Sequence, residues 1–462
     1  MATQFDAIII GTGQAGPPLA ARLAAAGMKV AVIERQRFGG TCVNTGCIPT
    51  KAMVASAYAA HLARRAADYG VDVATPVRVD MARVKARKDV ISRKSSQGVE
   101  HWVRGLADGA VYQGHARFES PTSVRVGGAL LHAERIFINV GARAAVPAIP
   151  GIDDIPFLTN SGMMEVDFLP DHLVIIGGSY IGLEFAQMFR RFGAQVTVVE
   201  KGPRLIPRED VDVSLTIHHI LEGEGVQIRL GAECIRVDRD RDSCGGIVVG
   251  LDCAESSRTV QGSHLLLAVG RQPNTDDLDL VKAGIETDAR GYITVDDALQ
   301  TTTPGIFALG ECNGRGAFTH TAYNDHEIVA DNLMEGAARR VTDRIMTYGL
   351  FIDPPLGRVG MTEAEVRKSG REALIGIRPM SRVSRAVEKG ETDGFMKVLV
   401  DARTSQVLGA AILGPGGDEA IHCLTDLMYA KAPYAVARHA VHIHPTIAEL
   451  IPTVLGDLRP FS

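Results

Sequence analysis

Four consecutive apolar residues, Ala7-Ile-Ile-Ile10, run into the glycine-rich Gly11-Thr-Gly-Gln-Ala-Gly16. An alanine-rich stretch, Leu19 to Ala26, and a second apolar run, Lys29-Val-Ala-Val-Ile33, follow. Short apolar runs bounded by glycine suit strands buried on both faces, and the segment between them is long enough for a helix. The pattern therefore predicts strand, turn, helix, strand. Pro17 and Pro18 fall in the first helical turn, where proline is tolerated because those N–H groups have no partner within the helix.

The same grammar returns downstream as Leu173-Val-Ile-Ile176, Gly177-Gly-Ser-Tyr-Ile-Gly182, a helical Leu183 to Phe192, and Gln195-Val-Thr-Val-Val199. Between the two units, Ile136-Phe-Ile-Asn-Val-Gly141 reads as a strand that runs into a proline-rich loop, Val146-Pro-Ala-Ile-Pro-Gly151. Leu265 to Gly270 reads as a further strand, and Thr303-Pro-Gly-Ile-Phe-Ala-Leu-Gly310 as a strand that resumes the first domain. Phe395-Met-Lys-Val-Leu-Val400 and Val407 to Leu413 predict strands of a separate α/β domain, followed by a helix over Glu419 to Lys431. The resulting division is 1–147, 148–267, 268–342 and 343–462.

A length of 462 residues suits several domains, and 46% hydrophobic, 22% charged residues and a net charge of −5 are ordinary for a globular protein. No nucleic-acid or membrane partner is expected. The first residues carry no basic leader and no run of 18 apolar residues occurs, so the expected location is cytoplasmic. Seven cysteines, an odd number, argue against a secreted disulfide framework.

A dinucleotide's pyrophosphate needs backbone N–H groups at a helix start, which glycines allow, and an acidic residue about 20 positions on to hold the ribose. Gly11, Gly13, Gly16 and Glu34 fit the first site, and Gly177, Gly182 and Glu200 the second. Ser179 replaces the middle glycine there, and its side chain could crowd the pyrophosphate. Glu200 favours NAD(H), while the nearby Lys201 and Arg204 leave NADP(H) open.

The most specific stretch is Gly39-Gly-Thr-Cys-Val-Asn-Thr-Gly-Cys-Ile-Pro-Thr-Lys51. Cys42 and Cys47 are too far apart for a zinc knuckle and have no second Cys/His pair nearby in sequence, so no metal site is expected. A thiolate beside a helix start is stabilised there, and a redox-active disulfide is the natural reading.

These segments, with His442-Ile-His-Pro-Thr-Ile-Ala-Glu449, occur in the order seen in class I pyridine nucleotide-disulfide oxidoreductases. The chain resembles that family from end to end, in particular dihydrolipoamide dehydrogenases and the mercuric reductase core. The resemblance implies two doubly wound, Rossmann-like domains, the FAD domain interrupted by the NAD domain, and a C-terminal α/β dimerisation domain. It implies an FAD site at Gly11, Gly13, Gly16, Glu34, Gly40, Thr41, Lys51, Gly141, Gly310 and Glu311, and an NAD site at Gly177, Tyr180, Gly182, Glu200 and Gly270. It further implies Cys42 as the interchange thiol, Cys47 as the thiol at the flavin and Lys51 with Glu184 as an ion pair beside the flavin. Tyr180 would be a gate over the nicotinamide, and His444 with Glu449 an acid–base dyad reaching the cysteines across a homodimer.

Glu311 stands where the family usually has aspartate, one methylene shorter. The tail from Leu455 to Ser462 lacks the cysteine pair of mercuric reductases, which also lack the His444/Glu449 type of dyad. Glu200 argues against close kinship with NADPH-linked glutathione reductases. The leading expectation is an enzyme acting on a small-molecule or protein-bound disulfide or dithiol. The alternatives are a metal-ion reductase and a flavoprotein subunit of a multienzyme complex.

Overall fold

The structure, a computed structural model, describes residues 2–240, 246–252 and 258–461. Cys244 and Cys253 lie outside them, as does the side chain of Cys234. The first sheet has five parallel strands in the order Ile306–Ala308, Arg135–Ile138, Ala7–Ile10, Val30–Glu34, Gly109–Gln113. Its edge strand, Ile306–Ala308, returns from beyond the whole second unit to pair with Arg135–Ile138 in register Phe307 to Phe137. Ala7, Ile8 and Ile9 are fully buried, which is why this strand is unbroken apolar rather than alternating.

The second unit repeats the device with four parallel strands, Gln227–Arg229, Gln195–Val199, His172–Ile176 and His264–Leu267. The C-terminal sheet is antiparallel, in the order Thr347–Leu350, Leu356–Gly360, Val407–Leu413, Phe395–Asp401, Ala373–Pro379, Arg459–Pro460. The helix expected over Glu419 to Lys431 is broken at Ile421 into Gly417–Ala420 and His422–Tyr429. Among the described residues, no helix is long and apolar enough to cross a membrane.

One apolar cluster joins all three regions, with Met53 and Ala57 of the helix Cys47–Arg64, Leu183 and Ala186 of the second unit, and Leu350 and Leu356 of the C-terminal sheet. Beside it lies a buried charge network. Lys397 Nζ sits 2.9 Å from Asp210, 2.6 Å from Asp212 and 2.6 Å from Glu363, and Arg358 reaches Asp210 at 2.9 Å. Those three carboxylates are close enough to hold a cation, and the lysine ammonium takes that place. Burial alone would raise the pKa of Asp210, but Arg358 and Lys397 outweigh it and hold the carboxyl below the usual range.

Removing one partner of such a network leaves buried charge uncompensated. Lys397→Met is expected to cost about 3 kcal/mol, read as a lowered denaturation midpoint, with Lys397→Arg much closer to the native protein.

Candidate active site

All three regions open onto one cleft of about 1790 Å³. Its walls carry Gly11, Gly13, Glu34, Gly40, Thr41, Gly141, Gly310 and Glu311 from the first unit, Gly177, Tyr180, Glu184 and Glu200 from the second, and Gly270 just beyond the second unit's last strand. Cys42, Cys47 and Lys51 share it. Gly16 and Gly182 stay outside the lining and set the turns behind it.

Both turns use one steric device. Gly11 has φ +104°, and a Cβ there would lie 2.3 Å from the Asn139 carbonyl oxygen; Gly177 has φ +116°, with 2.4 Å to that of Ala268. A Cβ on Gly16 or Gly182 would strike the carbonyl oxygen of Gly11 or Gly177 at 2.3 and 2.0 Å. Only glycine permits this closeness between turn and strand, which leaves the helix start open to an anion. At the strand ends, Glu34 accepts from the N–H groups of Thr12 (3.0 Å) and Gln36 (2.8 Å), and Glu200 from those of Gly178 (2.7 Å) and Gly202 (2.7 Å). The cradles and the fixed carboxylates fit two dinucleotides, FAD and NAD(P)H. Glu311 is engaged by Arg271 Nε at 2.6 Å, so its longer side chain is steadied at the cleft wall.

Cys42 lies in the short helix Gly40–Asn44, and Cys47 is the first residue of the helix Cys47–Arg64. Both are thiols here and their fates differ. The hydrogen bond from Cys42, helped by Thr319 and by the charge of Lys51, overcomes burial and lowers the Cys47 pKa to about 6. That same bond, together with burial, pushes the Cys42 thiol far up. Thr319 Oγ1 lies 3.1 Å from Cys47 Sγ.

Lys51 Nζ meets Glu184 Oε2 at 2.6 Å and stands 4.2 Å above the Phe351 ring, while Glu184 Oε1 accepts from the Phe351 N–H at 3.1 Å. Tyr180 packs edge-on against Phe318 (5.5 Å) and Tyr348 (5.7 Å), and the Arg208 guanidinium lies 5.2 Å from its ring centre. His444 Nδ1 is 2.8 Å from Glu449 Oε2, so these two are together, but the ring is exposed and neither residue lines the cleft of its own chain.

The sequence reading missed Thr319, Asn139, Phe318 and Tyr348. Asn139 Oδ1 accepts from Gly16 N at 3.0 Å, and its Nδ2 donates to the Leu309 carbonyl at 3.0 Å, bracing the first turn from inside. Its place directly after the strand Arg135–Ile138 was the one available clue; Thr319, 272 residues from Cys47, had none.

Residues 5–325 match the family model described as pyridine nucleotide-disulphide oxidoreductase, and residues 346–455 match the dimerisation domain of the same family. The probable pyridine nucleotide-disulfide oxidoreductase RclA of Escherichia coli is 37% identical over 455 residues, covering 96% of this chain and 97% of its own. The dihydrolipoyl dehydrogenase of Thermus scotoductus is 32% identical over 448 residues (96% and 95%), and the mercuric reductase of Bacillus cereus 32% over 443 (93% and 69%). The solved Cu(II) complex of the HOCl-induced flavoprotein disulfide reductase RclA from Escherichia coli superposes with a TM-score of 0.89 at 36% identity, covering 98% of this chain and 99% of that one. With two glycine turns, a cysteine pair between them and both family models matched, the chain belongs to the pyridine nucleotide-disulphide oxidoreductase family and is an FAD-dependent disulfide oxidoreductase that works with a pyridine nucleotide.

Proposed function

We propose that the chain passes electrons from NADH to a small-molecule or protein-bound disulfide, as a homodimer in which His444 and Glu449 of the partner subunit serve Cys42. The observation that carries this reading is the placement of the two thiols in a cleft shared with both nucleotide turns, where Cys42, Thr319 at 3.1 Å and the Lys51 charge lower the pKa of Cys47 while burial and the same contact raise that of Cys42. FAD, when bound, relays an electron pair between the reduced nicotinamide and the cysteine pair.

In the dithiol form, Cys42 cannot attack while it keeps its proton, because the thiolate is the nucleophile. An imidazole steadied by a carboxylate takes that proton near pH 7, the role assigned to His444 of the partner subunit. Cys42 Sγ then bonds to one substrate sulfur, the substrate S–S bond breaks, and the departing thiolate receives the imidazole proton. Cys47 attacks Cys42 Sγ, which closes the Cys42–Cys47 disulfide and releases the second product thiolate, protonated from solvent.

Lys51 and Glu184 are assigned to fixing the flavin edge beside Cys47, and Tyr180 to covering the nicotinamide site. NADH is favoured over NADPH because Glu200 would repel a 2′-phosphate and Arg204 is turned to its own loop, donating to the Pro207 carbonyl at 2.7 Å. A cytoplasmic setting, where thiols are kept reduced, suits a site that works through a free dithiol.

A second reading has a metal ion as electron acceptor, and the Cu(II) complex of RclA favours it. The two readings part at His444, since a metal ion needs no proton from it. Purified protein would be reduced anaerobically with NADH and mixed with lipoamide-type disulfide, glutathione disulfide, Cu(II) or Hg(II). His444→Ala is expected to slow disulfide reduction by about 10²- to 10⁴-fold while sparing flavin reduction by NADH. Equal rates in the variant, or oxidation by metal ions alone, would replace the disulfide reading with the metal one.

The thiol inequality has a pH signature. Because the Cys47 pKa is lowered, the thiolate is present above about pH 6 and lost as pH falls through that value. In the two-electron-reduced protein, thiolate absorbance is expected to titrate with a midpoint near 6, to vanish in Cys47→Ser, and to persist in Cys42→Ser, whose hydroxyl still donates. A midpoint in the ordinary thiol range would refute the assignment.

A further inference from the structure

The aromatic cluster beside Tyr180 is tied to a buried carboxylate for which the exchange reaction has no use. Tyr348, in the first strand of the C-terminal sheet, stacks on Phe318 at 5.6 Å between centroids and meets Tyr180 edge-on at 5.7 Å. Its hydroxyl donates a hydrogen bond to Glu209 Oε1. Glu209 lies in the second unit, between the strand Gln195–Val199 and the helix Val211–Gly223, and its side chain is 0% exposed.

The neighbours of Glu209 sharpen the picture. Arg208 places its guanidinium 5.2 Å from the Tyr180 ring centre. Asp210 is clamped to the C-terminal sheet by Arg358 and Lys397, each at 2.9 Å. Three consecutive residues thus touch the Tyr180 ring directly, hold it indirectly through Tyr348, and are themselves fixed to the C-terminal domain.

A carboxylate that only fastened one domain to the other would be expected to bond its cation. Glu209 pairs with Arg358 at 3.8 Å without a hydrogen bond, its Oε2 has no hydrogen-bond partner among the described residues, and its side-chain hydrogen bond goes to Tyr348 of the cleft wall. Desolvating a carboxylate to reach that hydroxyl is costly, and the bond it gains fixes where the Tyr348 ring lies.

We infer that Tyr348, anchored by Glu209, is a positioning residue that holds Tyr180 against Phe318, so that entry of the reduced nicotinamide is governed from the C-terminal domain. This rests on the reading of Tyr180 as the gate over the nicotinamide site. A gate held shut raises the apparent dissociation constant by the reciprocal of the open fraction, so loosening the latch tightens apparent binding.

The test is anaerobic stopped-flow reduction of the holoenzyme's flavin over a range of NADH concentrations, in the native protein and in Tyr348→Phe, Tyr348→Phe/Glu209→Gln and Tyr180→Ala. The double variant guards against misfolding, because it removes the negative charge that Tyr348→Phe leaves without its donor. In whichever of the two Tyr348 variants folds, the half-saturating NADH concentration is expected to fall about three- to tenfold, with the effect on that concentration rather than on the limiting rate. Tyr180→Ala should move the same quantity. A shift in Tyr180→Ala with none, or a rise, in the Tyr348 variants overturns the latch and leaves the gate standing. No shift in Tyr180→Ala overturns the gate and the latch with it. A merely structural Tyr348 would lower thermal stability and FAD content without moving the half-saturating concentration.

Discussion

The site depends on the meeting of Lys51, Glu184 and the Phe351 backbone. One lysine on the cysteine-bearing helix, one glutamate on the helix of the second nucleotide turn and one N–H of the C-terminal domain close within 2.6 and 3.1 Å of each other's atoms. Lys51 is 32% exposed, so the pair is worth little as stabilisation, on the order of 1 kcal/mol or less. Its importance is positional. The free energy that keeps the three regions together comes from the apolar cluster beneath it, where Met53 and Ala57 pack with Leu183, Ala186, Leu350 and Leu356. The ion pair selects, among the ways such a cluster could pack, the one that sets Lys51 where its charge also lowers the pKa of Cys47.

The two nucleotide turns share a steric plan and differ in how they are tied to their sheets. In the first, the residue whose carbonyl Gly11 approaches, just past the strand Arg135–Ile138, is Asn139, whose side chain crosses behind the turn to bond Gly16 and Leu309. In the second, the corresponding residue is Ala268, which has no side-chain polar atom to give. The first turn is therefore tied to its own sheet from inside, and the second lacks that tie. This asymmetry follows from one residue difference at equivalent strand ends.

What was legible in the sequence was local. The strand, turn and helix at Ala7–Ala25 and again at His172–Phe192, the four-residue gap between Cys42 and Cys47, and the His444/Glu449 spacing are all patterns within about 30 residues, the span of one βαβ unit. The partners that tune these residues have no such pattern. Thr319 reaches Cys47 across 272 positions, Asn139 reaches Gly16 across 123, and Tyr348 reaches Glu209 across 139. Each is a single side chain placed by the packing of a separate element, so neither periodicity nor spacing could announce it. The break at Ile421 escaped notice for a related reason. Gly417 of the first short helix packs against the Ile412 and Pro355 carbonyls, a constraint that exists only once the sheet is built.

The proposed chemistry divides its two currencies between subunits. Electrons have a path inside one chain, from a cleft wall bearing Tyr180 and Glu200 to one bearing Cys47. The proton does not, because the His444/Glu449 pair stands outside the cleft of its own chain, on a segment where Val441 is 100% and Ile443 79% exposed. Apolar side chains so bare, within the region matched by the dimerisation domain, are what a second copy would cover. On that reading, one event both buries them and delivers the imidazole to Cys42. Burial and the Cys47 contact favour the protonated form of Cys42, so on the proposed reading the partner's imidazole is what would let it act as a nucleophile.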